Sequence, residues 1–336
     1  MSSDRTVVLV GSESLLAREV RDIVATSGRG IDLRLVAADD EKAGALTRVG
    51  DEPAVVIDLT AENLSGAGVV ILAGSAGANR KAVELAPQGV AVIDMTCAVE
   101  DRPDARLRAP LVESEEDEED RAEAAVHVIA HPAAVALAIF LRRLHSIEVV
   151  KRAVIQVFVP ASEHGTPGVE ELQQQTVSLL SFKKMPKAIF DAQSSFNLLA
   201  RYGEDAPASL EDTELRVERH LATLLALPGE GEGAPMPSLR VAQAPVFHGY
   251  SFSAWVEFEV NPGVDTLESG LSMGAIEVRG SDFDPPSNVS QAGQGGIAVG
   301  AVVADRNEPE ACWFWLVADN LRLTAENAVA VARQLV

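Results

Sequence analysis

The sequence predicts an α/β protein built from two domains. In roughly the first 130 residues, short apolar runs alternate with segments whose apolar residues recur at helical spacing. That alternation is typical of a parallel sheet flanked by helices. The second half opens with a long apolar run, Val149–Val159, which suits a large open sheet. The length of 336 residues also exceeds the about 250–300 residues that one core usually supports.

The first domain begins with a strand at Thr6–Val10, which ends at Gly11 and leads into a helix over Ser14–Ala25. A second glycine turn, Ala73–Gly77, follows a buried run and precedes a helix that ends at Leu85. Parallel strands place their carboxyl ends, and hence any ligand, at one edge of the sheet. The remaining predicted strands are Ile31–Ala37, Val55–Leu59, Val69–Leu72, Val90–Ile93 and Val126–Ala130.

The second domain begins with a helix from Pro132 to Leu144, because proline suits the first turn of a helix. Four strands are predicted after the Val149–Val159 run, and the Gly- and Pro-rich segment Gly229–Pro237 is a loop. These strands are Leu239–Phe247, Phe252–Val260, Gly296–Val303 and Cys312–Ala318. The predicted helices are Glu170–Leu180, Glu211–Leu225, Val264–Leu271 and Leu323–Leu335.

Composition argues against several classes of partner. The formal net charge is −22 and the pI about 4.6, so nucleic acid and anionic membranes are disfavoured. No apolar run is long enough to span a membrane, and the amino terminus does not resemble a signal peptide. Two separated cysteines, Cys97 and Cys312, predict a reducing, cytoplasmic location. The acidic run Glu113–Asp120 is predicted to be a solvated loop, with a docking surface for a basic partner as the alternative.

Two phrases carry a family resemblance: Gln243-Ala-Pro-Val-Phe-His-Gly-Tyr250 and Phe314-Trp-Leu-Val-Ala-Asp-Asn320. Together with Gly11 and Pro132, they resemble the aspartate-semialdehyde dehydrogenase family, and most closely its usg-type paralogues. The resemblance covers nearly the whole chain. It implies a Rossmann-like NAD(P)-binding domain over residues 1–131, completed by the C-terminal helix at 320–336. It also implies an α+β dimerisation and substrate-type domain over 132–319, with a large mixed sheet, in a homodimer.

The resemblance implies NADP or NAD as cofactor, but the phosphate turn departs from the family pattern. Gly11 is kept, whereas Ser14 and Ala17 stand where the family has glycines, and Glu13 adds a negative charge. The hydroxyls of Ser12 and Ser14 remain as potential donors to a phosphate. Ala73 and Gly74 match the family's second glycine turn, and Asn327 matches an asparagine near the nicotinamide. The alternative is a strand–helix turn without any ligand.

The catalytic positions that the resemblance implies are mostly replaced. Ala134 stands at the nucleophilic cysteine and Tyr250 at the basic histidine, and a tyrosine is a poor base near neutral pH. Gln243 replaces the arginine that clamps the substrate carboxylate. Glu100 replaces a phosphate-binding arginine, and Glu214 replaces a lysine. Gln156 matches a glutamine of the family site that orients the substrate.

Three functional hypotheses follow. The first is a dimeric binding or scaffold protein that has lost catalysis, with a protein partner that the sequence does not identify. The second is an NAD(P)-dependent oxidoreductase with an altered active site. The third is a nucleotide-sensing partner of an active dehydrogenase. Neither Cys97 nor Cys312 is expected to replace the nucleophile, because free cysteines are usually small buried hydrophobic residues.

Histidines are the remaining candidates for new chemistry. His131, His164 and His248 lie on segments that line the family's cleft, and their convergence would allow a metal or an anionic ligand to bind. His127 and His131 are four residues apart and share a strand face. No spacing typical of metal ligands supports them, so no metal is predicted. The apolar residues that follow Pro132 suggest a cleft floor that is packed shut or left as an apolar pocket.

Overall fold

The computed structural model describes residues 6–27, 31–38, 41–114 and 124–336. The chain divides into two compact units. The first comprises Met1–Ala130 and Thr324–Val336, and the second comprises His131–Leu323.

The first unit contains a six-stranded parallel sheet in the order β2-β1-β5-β6-β8-β7. This arrangement confirms the Rossmann-like fold class. A separate antiparallel hairpin is formed by β3 and β4. The strands are β1 (Thr6–Val10), β2 (Asp32–Val36), β3 (Leu46–Val49), β4 (Glu52–Val55), β5 (Val69–Leu72), β6 (Ala91–Asp94), β7 (Ala105–Arg108) and β8 (Val126–Ile129). The helices are α1 (Leu15–Thr26), α2 (Ala61–Leu64) and α3 (Ala76–Leu85).

Both faces of this sheet are buried, which explains the uninterrupted apolar runs of its central strands. One face packs against α1 and against the C-terminal helix, which contributes Ala325, Ala328 and Val329 to the core. The other face packs around Leu64 and Ala82. The glycine turns after β1 and β5 therefore sit at the carboxyl edge of a rigid sheet.

The second unit is built around a mixed six-stranded sheet in the order β10-β9-β11-β14-β13-β12, which confirms the predicted α+β class. Its strands are β9 (Val150–Val159), β10 (Ser238–Gln243), β11 (Tyr250–Phe258), β12 (Ile276–Arg279), β13 (Ile297–Ala304) and β14 (Ala311–Ala318). Its helices are α4 (Pro132–Ile147), α5 (Gly165–Leu180), α6 (Leu210–Leu225), α7 (Val264–Leu271) and α8 (Asn288–Gln291). Helix α9 (Asn320–Leu335) begins here and enters the first unit at Thr324.

The two faces of the mixed sheet differ. On the buried face, Phe140 of α4 packs edge-on against Phe314 of β14, with ring centroids 5.1 Å apart. The opposite face carries exposed apolar side chains: Val154 is 51% exposed and Trp313 41%. Two further tryptophans, Trp255 and Trp315, are half-buried on the same face. We call this surface the tryptophan face.

Several predicted elements differ from the structure. The strand predicted at Val55–Leu59 is wrong, because the chain forms the β3–β4 hairpin and only Ile57 bridges to the parallel sheet. The strand predicted at Leu239–Phe247 ends at Gln243, because Pro245 lacks the N–H that a ladder needs. The edge strand β7 was missed because its four residues, Ala-Arg-Leu-Arg, include two arginines and no run of apolar residues.

Two residues of the acidic run, Glu113 and Ser114, lie in the described part of the chain. The Glu113 side chain is only 5% exposed, and its carboxylate pairs with the buried Arg108 at 3.0 Å. Residues 115–123 lie outside the described part of the chain. Among the helices that the structure describes, none is both long and apolar enough to cross a membrane.

Candidate functional site

Two regions correspond to the predicted sites, one in each unit. In the first unit, Gly11 has φ +78° and packs directly against the second glycine turn. A Cβ at Gly11 would lie 2.4 Å from the backbone nitrogen of Gly74, far inside contact distance. A Cβ at Gly74 would likewise lie 2.7 Å from Ala38 Cβ. Both glycines are therefore required by the packing of one turn on the other.

The backbone N–H groups of the first turn all have acceptors within the protein. Gly11 and Ser12 donate to Val36 O, at 3.0 and 3.4 Å, and Ser14 donates to Gly11 O at 3.0 Å. Glu13 donates to the carboxylate of Glu41 at 2.9 Å. The turn thus has the shape of a phosphate-binding turn, while its donors from residue 11 to residue 14 are already engaged.

The Glu41 carboxylate accepts the hydrogen bond that this turn offers through Glu13 N. It also accepts a hydrogen bond from the backbone N–H of Ala38 at 3.1 Å and a long one from the Ser12 hydroxyl at 3.5 Å. Burial raises the pKa of Glu41, and the nearby Glu13 carboxylate adds to this, although the hydrogen bonds oppose it. The Ser14 hydroxyl caps α1 by accepting from Ala17 N.

The other nucleotide-site candidates are also held by internal contacts. Gly74 N donates to Asn79 Oδ1 at 3.1 Å, and Asn79 in turn donates to the Thr96 hydroxyl at 2.8 Å. Ala73 N donates to Val10 O at 2.9 Å. Asn327 is fully buried in α9, and its Oδ1 accepts a hydrogen bond from Leu111 N at 3.2 Å.

In the second unit, the predicted nucleophile position lies in the first turn of α4. Ala134 has no exposed surface, and the apolar residues around it are equally buried. His131 caps the helix, with its Nδ1 accepting from Ala133 N at 3.3 Å. Because Nδ1 accepts, the ring proton sits on Nε2, which donates to Glu163 at 3.0 Å.

Glu163 is the centre of a buried polar cluster. Tyr250, at the predicted base position, donates its hydroxyl proton to Glu163 Oε2 at 2.7 Å, and its ring is only 1% exposed. Burial alone would raise the pKa of Glu163, but the interaction with His131 and the hydrogen bond from Tyr250 lower it to about 2. Burial, together with the Glu163 charge, raises the pKa of Tyr250 well above its ordinary value. Tyr250 is therefore a hydrogen-bond donor rather than a base.

A second chain of hydrogen bonds runs beside this cluster. His164 Nε2 donates to the Tyr202 hydroxyl at 2.9 Å, and that hydroxyl donates to Gln243 Oε1 at 2.7 Å. Gln243 then donates to Val159 O and Ala244 O, at 3.0 and 2.9 Å. With no exposed surface, Gln243 holds backbone together rather than facing a ligand.

The predicted convergence of histidines is partly found. His131 and His164 both act on Glu163, whereas no hydrogen bond joins His248 to the cluster among the described residues, and its Nδ1 is buried without a partner. His220 takes the third place, because its Nδ1 accepts from His131 N at 2.9 Å. His127 lies in the first unit beside Arg108, and burial together with that charge lowers its pKa to about 4. The apolar residues that follow Pro132, such as Val135 and Leu137, are fully buried, while the polar cluster lies at the start of the same helix.

Other predicted residues lie outside the cluster. Gln156 is on the tryptophan face of β9, and its amide donates to Arg240 O at 3.0 Å. Glu214 accepts from Val241 N at 2.9 Å. Glu100 lies in the turn after β6, where its charge adds to the raised pKa of the buried Asp94. Cys312 is buried, and Cys97 is half-buried with its sulfur 3.9 Å from Ile129 O.

Sequence reasoning missed Glu41, Glu163 and Tyr202. Glu163 carried a weak signal, since it lies next to His164 directly after the long apolar run. Glu41 was hidden in an acidic segment that reads as an ordinary surface turn. Its role depends on a contact with Glu13, which is 28 residues away in sequence.

Comparison with known proteins gives a consistent result. Residues 141–323 match the family model described as semialdehyde dehydrogenase, dimerisation domain. A USG-1 protein homolog of Pseudomonas aeruginosa is 29% identical over 100% of this chain and 99% of its own length. Aspartate semialdehyde dehydrogenase II of Vibrio cholerae, complexed with ASA, has a TM-score of 0.81 at 20% identity and covers 98% of this chain and 97% of its own. The Candida albicans enzyme, solved with NADP, has a TM-score of 0.66 at 15% identity over 98% of both chains. At these identities the two structures establish the fold alone.

Proposed function

Because the chain belongs to the semialdehyde dehydrogenase family, we propose that it is a dimeric member that no longer catalyses the family's reaction. The observation that carries this proposal is the pair of replacements at the reacting atoms. A methyl group, on the fully buried Ala134, stands at the nucleophile position. Tyr250, already hydrogen-bonded to Glu163, stands at the base position. Acyl transfer through a thioester needs a thiolate, which neither side chain supplies.

The charge of the site supports the same conclusion. A semialdehyde with a carboxylate needs a cation to hold it, and a phosphate co-substrate needs another. Gln243 is neutral and bound to backbone carbonyls. Glu163 keeps a negative charge at the centre of the cluster. An anionic substrate would therefore meet repulsion in place of a clamp.

An NAD(P)-dependent oxidoreductase with an altered active site is the second candidate. The observation in its favour is that Glu163 is 17% exposed on its side chain while bonded to His131 and Tyr250. A carboxylate with two hydrogen-bonded neighbours is one arrangement for moving a proton. This candidate requires binding of NADP or NAD and oxidation of a semialdehyde, with a nucleophile other than Ala134 or Tyr250.

The experiment that separates the two candidates is a dehydrogenase assay. Purified protein is expected not to reduce NADP⁺ when it is given aspartate semialdehyde and phosphate. Phosphate-stimulated reduction would favour the oxidoreductase.

The proposed homodimer forms through the tryptophan face. Exposed apolar surface of this kind marks interaction sites in soluble proteins, and the matched family model is named for dimerisation. We expect light scattering to give a mass twice the 35.5 kDa of the chain. Replacing the exposed Trp313 with aspartate is expected to weaken the dimer at least about tenfold, because the charge would lose its water there.

The matched control is Leu46→Asp, at an apolar residue that is 79% exposed on β3, in the hairpin of the first unit. This variant is expected to remain dimeric. A monomeric wild-type protein at micromolar concentration, or equal dissociation of both variants, would contradict the assignment of this face.

The rest of the proposal concerns location and partners. We propose a cytoplasmic protein that binds neither nucleic acid nor membrane, in keeping with its net charge of −22. A binding or scaffold role implies a further protein partner. A mixed dimer with an active relative is one form that such a partnership would take.

A further inference from the structure

We propose that Glu41 is a built-in ligand of the first glycine turn, occupying with its carboxylate the position that a dinucleotide phosphate would need. The inference concerns the first unit alone and does not rest on the proposed loss of catalysis. In this arrangement the turn is an anion-binding site that is occupied by a carboxylate of the same protein in place of a phosphate.

The backbone N–H donors of the first glycine turn are already hydrogen-bonded within the protein. A phosphate binds at such a turn by accepting hydrogen bonds from consecutive backbone N–H groups at the start of a helix. Here the donors of Gly11, Ser12 and Ser14 end on backbone carbonyls. The donor of Glu13 ends on Glu41 Oε1 at 2.9 Å. A phosphate would therefore have to displace the carboxylate to gain even one of these four donors.

Glu41 bridges two segments of the chain, as a bound anion would. Its Oε1 contacts the turn after β1, while its Oε2 contacts Ala38 N, beyond the end of β2, at 3.1 Å. Two backbone N–H groups and one hydroxyl from separate segments thus converge on one carboxylate. That arrangement satisfies donors which would otherwise face the ligand position, and it explains why an acid is tolerated beside Glu13.

The charges at the turn also disfavour a bound phosphate. Glu13 and Glu41 both lie at the turn, and Glu13 is paired with Arg21 at 2.9 Å. Arg21 also donates to the Thr47 hydroxyl at 2.7 Å, so its Nη1 is engaged by both contacts. A diphosphate brought to this turn would meet a carboxylate before it met a free cation from these residues. The residues present therefore do not fit a dinucleotide while Glu41 is in place.

The glycine of the turn, Gly11, is required by its packing against the second glycine turn. In a dinucleotide turn, glycine allows the backbone to approach the pyrophosphate closely. Here Gly11 is needed because the Gly74 backbone occupies the space beside it, within 2.4 Å of an added Cβ. The glycine that carried the family resemblance is thus explained by turn-on-turn packing alone.

The test is calorimetric titration of the full-length protein with NAD⁺ and with NADP⁺. Wild-type protein is expected to bind neither at millimolar nucleotide. Glu41→Ser removes the carboxylate and is expected to gain binding at least about tenfold tighter than wild type, since a charged hydrogen-bonded competitor is lost. The matched control, Glu84→Ser, changes an exposed acid of α3 and is expected to behave as wild type.

If Glu41→Ser does not fold, as judged by circular dichroism, Glu41→Gln gives the same test. Its single amide oxygen accepts from only one of the two backbone N–H groups and the charge is removed, so a tenfold gain over wild type is again expected. Micromolar binding by the wild-type protein that is unchanged in either variant would overturn the proposal. So would variants that fold and still fail to bind.

Discussion

Replacing His131 with asparagine is expected to lower the free energy of unfolding by about 3 kcal/mol at pH 7. Asparagine is a good helix cap, so the start of α4 keeps an acceptor for its first N–H groups. It is too short to replace the imidazole Nε2 that lies 3.0 Å from Glu163. The variant therefore leaves a carboxylate with little exposure and one partner fewer. Chemical denaturation monitored by tryptophan fluorescence measures the change.

A double-mutant cycle isolates this interaction. In a Glu163→Gln background the buried charge is absent, so His131→Asn is expected to cost only about 1 kcal/mol. The difference between the two costs is the coupling between the imidazole and the carboxylate. Equal costs in both backgrounds would show that the cluster does not stabilise the fold through Glu163.

The cluster also predicts a pH dependence with a definite sign. The pKa of Glu163 is lowered from 4.5 to about 2 in the folded protein. A depressed acid pKa stabilises the fold above the unfolded value, and that contribution is lost as the pH falls from 4.5 towards 2. The shift corresponds to about 3 kcal/mol. Glu163→Gln is expected to remove this part of the acid sensitivity.

Replacing Glu113 with alanine is expected to destabilise the first unit by about 3–5 kcal/mol. Arg108 is 1% exposed, and both its Nε and its Nη2 donate to the Glu113 carboxylate, at 3.1 and 3.0 Å. Ala109 N donates to the same carboxylate at 2.7 Å. After the substitution, the buried guanidinium would keep, among the described residues, its contacts with His127 and Gln334, at 3.2 and 2.6 Å. Thermal unfolding is the measurement.

The chain offers a matched control for this pair. Arg102 and Asp104 form a similar two-bond ion pair, but their side chains are 44% and 39% exposed. Asp104→Ala is therefore expected to cost less than about 1 kcal/mol. Comparable losses in Glu113→Ala and Asp104→Ala would mean that burial of Arg108 does not make its partner essential.

The fold was predictable because its signals are local. The apolar runs of β1, β5 and β9 and the proline at the start of α4 each specify an element from neighbouring residues. Elements with weak local patterns were missed, among them the β3–β4 hairpin, the edge strand β7 and the short strand β12. Phrases such as Gln243–Tyr250 also identified the family, whereas the assignment of its catalytic positions to particular residues stays a prediction.

The contents of the two sites were less predictable, because they depend on contacts between distant segments. Glu163 reaches Tyr250 across 87 positions and Glu41 reaches Glu13 across 28. Nothing in the sequence near Glu41 distinguishes a buried carboxylate from a surface one, and the position of Glu163 beside His164 is only a weak signal. The same limit explains Glu113, which reads as part of a solvated acidic run and instead binds a buried arginine.

The most direct test of the central claim, that this chain keeps the family fold without its chemistry, is a steady-state assay. NADPH formation is followed with aspartate semialdehyde, phosphate and NADP⁺, and an active aspartate-semialdehyde dehydrogenase is run alongside as the positive control. The account predicts no phosphate-stimulated turnover, even at enzyme concentrations high enough to detect single turnovers. Phosphate-stimulated turnover by the wild-type protein would contradict this claim. If it persisted when both free cysteines, Cys97 and Cys312, were replaced by serine, the nucleophile would have to lie among the other residues.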